Sequence, residues 1–144
     1  QDRIGFLEEF GQAFFGVSLL NSPLSKPLLA YYGSLCAVAS PRATSECVKA
    51  FSNTDFRSEM KFVTVPTLII HGDEDKTVPI EATGKQSAKL IPNNTFIVYE
   101  GAPHGLFYTE REKLNADLVK FLTTEMPVAR TQQAKTAYAD AIAK

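Results

Sequence analysis

The sequence predicts an α/β protein whose parallel sheet is incomplete within these 144 residues. Two short apolar runs, VPTLIIHG from Val65 and NTFIVYEG from Asn94, have the length and β-branched content of buried strands. Each run is followed by apolar residues at helical spacing, and the order strand–helix–strand–helix is typical of a right-handed βαβ unit with a parallel sheet. Because parallel sheets need several strands and two covered faces, two strands predict part of a larger fold.

Three helices are predicted before the strands. Residues 3–17 carry apolar side chains at helical spacing, among them Phe6, Phe10 and Phe14, and this stripe either packs in a core or lines a substrate pocket. A second helix is predicted over residues 27–38, and a third begins with Ser40 as N-cap and Pro41 in its first turn. We therefore expect a helical cap-like segment over residues 1–60 and a βαβα core over 61–125. Alanines at helical spacing predict a helical tail over 126–144.

Composition excludes several classes of partner. Fifteen basic and sixteen acidic residues give a net charge of −1, which offers no electrostatic footprint for nucleic acid or an anionic membrane. No apolar run approaches the roughly 20 residues of a membrane helix. Cys36 and Cys47 lack metal-type spacing and fall in apolar helical patterns, so we expect buried thiols and a cytoplasmic location. The start at Gln1 suggests a processed or truncated piece.

The residues that follow the two strands suggest chemistry. Asp75 follows the first strand and His104 follows the second, 29 positions later. Adjacent parallel strands lie about 4.8 Å apart, so their loops emerge side by side at one edge of the sheet. An aspartate there can hydrogen-bond a histidine, fix its tautomer and stabilise its protonated form. The spacing therefore predicts a paired Asp75 and His104, the later members of a Ser…Asp…His order.

Other interpretations of these residues stay open. Asp75 could instead cap the next helix, and Asp73 could replace it as partner of His104, although an aspartate in that position more often shapes the turn. His71 ends a strand and is expected to make a structural hydrogen bond. A metal site from His71, Asp73 and Asp75 has suitable ligand types, but residues so close in sequence point in different directions, so we predict no metal site.

Two stretches carry a specific resemblance. VPTLIIHGDEDKTVP and IVYEGAPHGLF resemble the C-terminal half, cap plus last two strands, of an α/β-hydrolase of the non-haem chloroperoxidase and arylesterase family. The resemblance implies a partial α/β-hydrolase fold and esterase or perhydrolase chemistry on a small carboxylic ester or acid, without haem, metal or other cofactor. It places the family's catalytic residues at Asp75 and His104, and its cap in the helices before Phe62.

One part of the family pattern is missing. The nucleophilic serine of such enzymes lies in a G-x-S-x-G turn, and no such pattern occurs here. Ser18 and Ser34 both fall in stretches with helical patterns. We therefore expect one of two things: part of a serine hydrolase completed by an N-terminal half, or a non-catalytic remnant that self-associates or binds a partner. Its expected partner is accordingly that complementing half or further copies of the chain.

Overall fold

The computed structural model describes residues 2–125. The chain divides into two compact units after Thr109. The first unit holds five helices and two strands, and the second begins with a sixth helix. The elements are α1 (Arg3–Phe14), α2 (Lys26–Val38), α3 (Pro41–Asn53), β1 (Thr67–Gly72), α4 (Gly84–Leu90), β2 (Asn94–Tyr99), α5 (Leu106–Thr109) and α6 (Arg111–Glu125). The predicted tail over 126–144 lies outside the described residues.

The helix starts follow their capping residues. The side chain of Ser40 accepts a hydrogen bond from the Ala43 amide at 3.4 Å, so α3 begins where the Ser-Pro pair predicts. The end of α1 was predicted at Val17, but the helix ends at Phe14. Gly16 has a φ of +67°, a conformation that breaks the helix and favours glycine. A Cβ at Gly16 would also lie 2.9 Å from Pro103 Cβ, so the chain turns against the loop after β2.

Strands β1 and β2 pair in parallel, as predicted, in a register that runs from Thr67 opposite Asn94 to Gly72 opposite Tyr99. Both strands therefore end level with each other. Tyr99 and Ala102, at and just beyond the end of β2, are 1% exposed and are the most completely buried of the core side chains. The best-packed part of the first unit therefore lies at the carboxyl ends of the strands.

The helix predicted between the strands is divided. A single 3₁₀ turn, Ile80–Ala82, precedes α4, which begins only at Gly84. Gly84 packs directly on the His71 ring, where a Cβ would lie 2.7 Å from Nδ1. The chain reaches this close contact before it continues as a regular helix.

Apolar side chains are widely exposed in the first unit. Cys36 and Cys47 are exposed free thiols, so the prediction that they are buried was wrong. Leu19 and Leu20 are fully exposed, and Phe51 of α3 is 79% exposed. The helical patterns predicted apolar faces, but much of that apolar surface is exposed among the described residues, as at Tyr31 and Leu35 of α2 and Phe51 of α3. No helix within residues 2–125 is long and apolar enough to cross a membrane.

Candidate active site

Two loops meet at the carboxyl edge of the sheet. One covers residues 73–79 after β1, and the other covers residues 100–105 after β2. The Gly101 amide donates to Asp73 Oδ1 at 2.6 Å, and the Glu74 amide donates to the Ala102 carbonyl at 3.2 Å. At Gly72 a Cβ would lie 2.1 Å from that same Ala102 carbonyl oxygen. The two loops are therefore in direct backbone contact, which fixes the side chains they carry.

Asp75 is the centre of the site. Its Oδ1 accepts hydrogen bonds from the amides of Thr77 and Val78 at 2.9 and 2.8 Å. Its Oδ2 accepts a hydrogen bond from His104 Nδ1 at 2.7 Å, and the side chain is only 4% exposed. Burial alone would raise the pKa of this carboxyl group. The bonds from the Val78 amide, His104 and the Thr77 amide outweigh burial and hold the pKa below its ordinary value, so Asp75 is a carboxylate at neutral pH.

His104 is oriented by that carboxylate. Because a carboxylate only accepts hydrogen bonds, Nδ1 of His104 is the protonated nitrogen of the neutral ring. Nε2 then carries the lone pair and can take a proton from a reacting group. The side chain is 33% exposed, unlike its buried partner. The two residues predicted to pair are brought together, with the geometry of an aspartate that orients a general base.

The C-terminal end of α1 supports the histidine loop. The Gly105 amide donates to the Phe14 carbonyl at 2.7 Å, and a Cβ at Gly105 would lie 2.4 Å from Phe15 Cδ1. The Phe14 ring meets His104 edge-on, with 4.7 Å between ring centroids and 68° between planes. The apolar stripe of residues 3–17 did not predict this contact, because helical spacing alone does not distinguish Phe14 from Phe6 or Phe10.

The remaining residues singled out from the sequence lie nearby. His71 Nε2 donates to the Val78 carbonyl at 2.9 Å, the structural hydrogen bond predicted for this histidine, and lies 3.2 Å from Asp75 Oδ2. Asp73 faces Gly101 and so shapes the contact between the loops. Within residues 2–125, no group of three or more His, Cys, Asp or Glu side chains is arranged to hold a metal ion.

The two serines weighed in the sequence bond within their own segments. Ser34 Oγ donates to the Ala30 carbonyl at 2.9 Å inside α2, and Ser18 Oγ accepts from the Asn21 amide at 3.1 Å. Both also line a groove of about 870 Å³ between α1 and α2, whose lining includes neither Asp75 nor His104. The pair of Asp75 and His104, hereafter the acid–base pair, is therefore separate from this groove.

Known proteins similar to this chain share one fold family. The sequence model described as alpha/beta hydrolase fold matches residues 11–111. The chain is 35% identical over 123 residues to the non-heme chloroperoxidase CPO-A1 of Kitasatospora aureofaciens, covering 84% of this chain and 45% of that protein. It is 38% identical over 109 residues to the bifunctional esterase/perhydrolase DCH of Acinetobacter calcoaceticus, covering 76% of this chain and 40% of that protein.

A solved structure is also similar. The bromoperoxidase from Bacillus anthracis matches with a TM-score of 0.79 and 42% identity, over 85% of this chain and 44% of that one. The chain therefore spans less than half the length of these relatives. Such partial coverage agrees with a sheet of two strands in the described residues.

Proposed function

The chain belongs to the alpha/beta hydrolase fold family, of the chloroperoxidase and esterase type, and from that premise we propose that it supplies the acid–base half of a serine hydrolase. Asp75 and His104 are the aspartate and histidine of a Ser-His-Asp triad. The nucleophilic serine and the oxyanion donors come from a segment outside this sequence. The reaction is hydrolysis or perhydrolysis of a small carboxylic ester or acid.

The roles of the two residues follow from their chemistry. His104 Nε2 accepts the serine proton as the serine oxygen attacks the ester carbonyl carbon. Asp75 stabilises the imidazolium, which then protonates the departing alcohol as the acyl–serine bond remains. In a second step water attacks the acyl-enzyme while Nε2 takes a proton from it; the bond from the acyl carbon to the serine oxygen then breaks, the imidazolium returns the proton to that oxygen, and the acid is released. Hydrogen peroxide in place of water gives a peracid by the same proton transfers.

The observation that carries this proposal is the 2.7 Å bond between His104 Nδ1 and a nearly buried Asp75. A surface Asp–His pair would be screened by water and would orient the ring weakly. Here two backbone amides fix the carboxylate, and the loop that carries His104 is pinned by α1. The Phe14 ring contacts His104, and the Phe107 ring lies 6.2 Å from the Phe14 ring, an apolar surrounding that favours a substrate with an apolar or aromatic group.

A chimera tests the proposal. The segment of the Bacillus anthracis bromoperoxidase that precedes its match to this chain is joined ahead of the chain, and hydrolysis of a small aryl acetate is measured. We expect turnover by the chimera and none by the chain alone. His104→Ala should lower kcat by about 10⁶-fold and Asp75→Asn by about 10⁴-fold, as in other triads.

The matched control is Asp73→Asn, which keeps the side-chain oxygen that faces Gly101 and removes one charge from the same loop. We expect it to retain kcat within about tenfold, since Asp73 contacts no group that reacts. If Asp73→Asn abolishes turnover and Asp75→Asn does not, the partner of the histidine has been misassigned. A folded chimera with no turnover above its His104→Ala variant would refute the proposed function.

Exposed apolar surface favours a second candidate, in which the chain acts as a self-associating or partner-binding module. Leu19, Leu20 and Phe51 are all more than three-quarters exposed, and β1 and β2 form a sheet of only two strands among the described residues. The native mass of the purified chain tests this candidate. A stable dimer supports self-association, whereas a monomer at micromolar concentration opposes it.

A further inference from the structure

Asp75 has a second imidazole beside it. His71 Nε2 lies 3.2 Å from Asp75 Oδ2, the same oxygen that bonds His104. The His71 side chain is 13% exposed and that of Asp75 is 4% exposed, so little water separates or screens the two groups. Both neighbours of His71 Nε2, the Val78 carbonyl and the Asp75 carboxylate, only accept hydrogen bonds. Nε2 is therefore the protonated nitrogen of His71.

A closed set of contacts connects His71 to Asp75. His71 Nε2 donates to the Val78 carbonyl at 2.9 Å, and the amide of the same Val78 donates to Asp75 Oδ1 at 2.8 Å. His71 thus fixes Val78, whose amide bonds Asp75 Oδ1, and the His71 Nε2–H group lies close to Asp75 Oδ2. Both effects favour one position of the carboxylate.

The position of the His71 ring is itself fixed. Gly84, the first residue of α4, lies against it so closely that a Cβ would be 2.7 Å from Nδ1 and 3.0 Å from Cγ. The backbone of His71 belongs to β1, where the residue pairs with Val98 of β2. A side chain packed in this way can fix the position of the loop of residues 73–79, which it contacts at Val78.

We propose that His71 is a positioning residue, which holds the Asp75 carboxylate at the distance and angle that its bond to His104 requires. This role goes beyond the structural hydrogen bond predicted for His71, because it sets the geometry of the Asp75–His104 pair through Val78 and Asp75 Oδ2. The importance of that role for catalysis rests on the proposed function. The role itself is a property of the described residues and is measurable without turnover.

Imidazole nitrogen spectroscopy of the full chain tests this role. The sequence contains only two histidines, so a ¹⁵N-labelled sample gives two ring spin systems, and any His71 variant leaves His104 alone. In the unsubstituted chain we expect His104 protonated at Nδ1, with a downfield proton resonance from its bond to Asp75. That resonance and the ¹⁵N shifts of the ring report whether the bond persists.

Two substitutions of His71 form a matched pair. The amide nitrogen of Gln reaches approximately the position of imidazole Nε2, whereas Asn is shorter by one methylene and cannot reach Val78. We expect His71→Gln to keep the Nδ1 proton resonance of His104, and His71→Asn to lose it and to show mixed tautomers. Gly84→Ala displaces the His71 ring without removing it and is expected to weaken the same resonance, which keeps the test decisive if His71→Asn does not fold.

Each outcome decides the matter. Retention of the resonance in both folded His71 variants would mean that His71 only fills space, and loss in both would mean that ring shape matters instead of the N–H group; either result overturns the proposal. In the chimera, His71→Asn should lower kcat roughly tenfold with KM unchanged, because a small displacement of Asp75 and His104 affects the reacting geometry and not ground-state binding, and His71→Gln should restore it. An inactive chimera refutes the proposed function and leaves the spectroscopic result intact.

Discussion

Replacing Gly72 with Ala would place a methyl group at the point where the two active-site loops touch. The new Cβ would lie 2.1 Å from the Ala102 oxygen, 2.7 Å from the Ala102 carbonyl carbon and 3.0 Å from the Pro103 oxygen. All three are backbone atoms, so no side chain can rotate away. The loop after β2 would have to recede by roughly 1.3 Å, from 2.1 to about 3.4 Å, before the shortest contact became ordinary, so the site would be overpacked.

The movement should be transmitted to His104, which directly follows Pro103. Its bond to Asp75 is 2.7 Å, and a lengthening of about 1 Å leaves hydrogen-bond range. Overpacking costs about 1–3 kcal/mol, and a charge-assisted hydrogen bond contributes about 1.5–3 kcal/mol. We therefore expect Gly72→Ala to lower the free energy of unfolding by about 3 kcal/mol. A displacement of this size should also reduce kcat of the chimera by about 100-fold.

Urea unfolding of the chain measures the first effect, and the Nδ1 proton resonance of His104 measures the second. Gly33→Ala is the matched control, because a Cβ at Gly33 has no neighbour within 4 Å and lies inside α2. There we expect a gain of up to about 1 kcal/mol from helix propensity. If Gly72→Ala is as stable as the unsubstituted chain and keeps the resonance, the loops do not fix the acid–base pair as argued.

Three further predictions concern charge and backbone conformation. Because folding lowers the pKa of Asp75, the ionised carboxylate stabilises the folded chain fully above its unfolded pKa, near 3.8, and this stabilisation is lost as pH falls through the folded pKa. Urea unfolding between pH 2 and 7 should therefore show that the free energy of unfolding falls less steeply with acid in Asp75→Asn than in the unsubstituted chain. Gly101 has a φ of +71° with open space around it, so Gly101→Ala should cost about 1 kcal/mol and Gly101→Asn less, whereas equal stability would remove the argument from φ. Arg57→Ala should raise the pKa of Asp55 from about 2 toward 3.8 in a ¹³C carboxyl titration, without a measurable change in stability, because the pair is exposed.

Strand order alone predicted the pairing of Asp75 and His104. Two parallel strands that end level must release their loops together, and the register of Gly72 opposite Tyr99 produces this arrangement. The prediction needed only the positions of the strand ends and the residue types that follow them. The predicted pairing does not by itself predict catalysis, because a hydrogen bond between two side chains does not identify a reaction.

Other features depended on contacts that a linear pattern does not encode. His71 and Asp75 meet because the chain turns back between them, and Phe14 meets His104 where α1 ends, two residues before the turn at Gly16. The burial of Cys36 and Cys47 was predicted wrongly for a different reason. Apolar periodicity indicates that a helical face can be covered, but not that the covering element lies in the same stretch of chain.

The constant register of the sheet has a consequence for the order of events in folding. Every paired residue of β1 and β2 is separated by 27 positions, so closing one loop of that length aligns all six pairs at once. Asp75 and His104 lie just beyond these six pairs, separated by nearly the same length of chain. Their bond therefore closes a much shorter loop than the contact of the Phe14 carbonyl with the Gly105 amide, which joins segments some 90 residues apart. We expect the acid–base pair to form with the strand–helix–strand unit during early collapse, and the contact between the end of α1 and the Gly105 amide to form later.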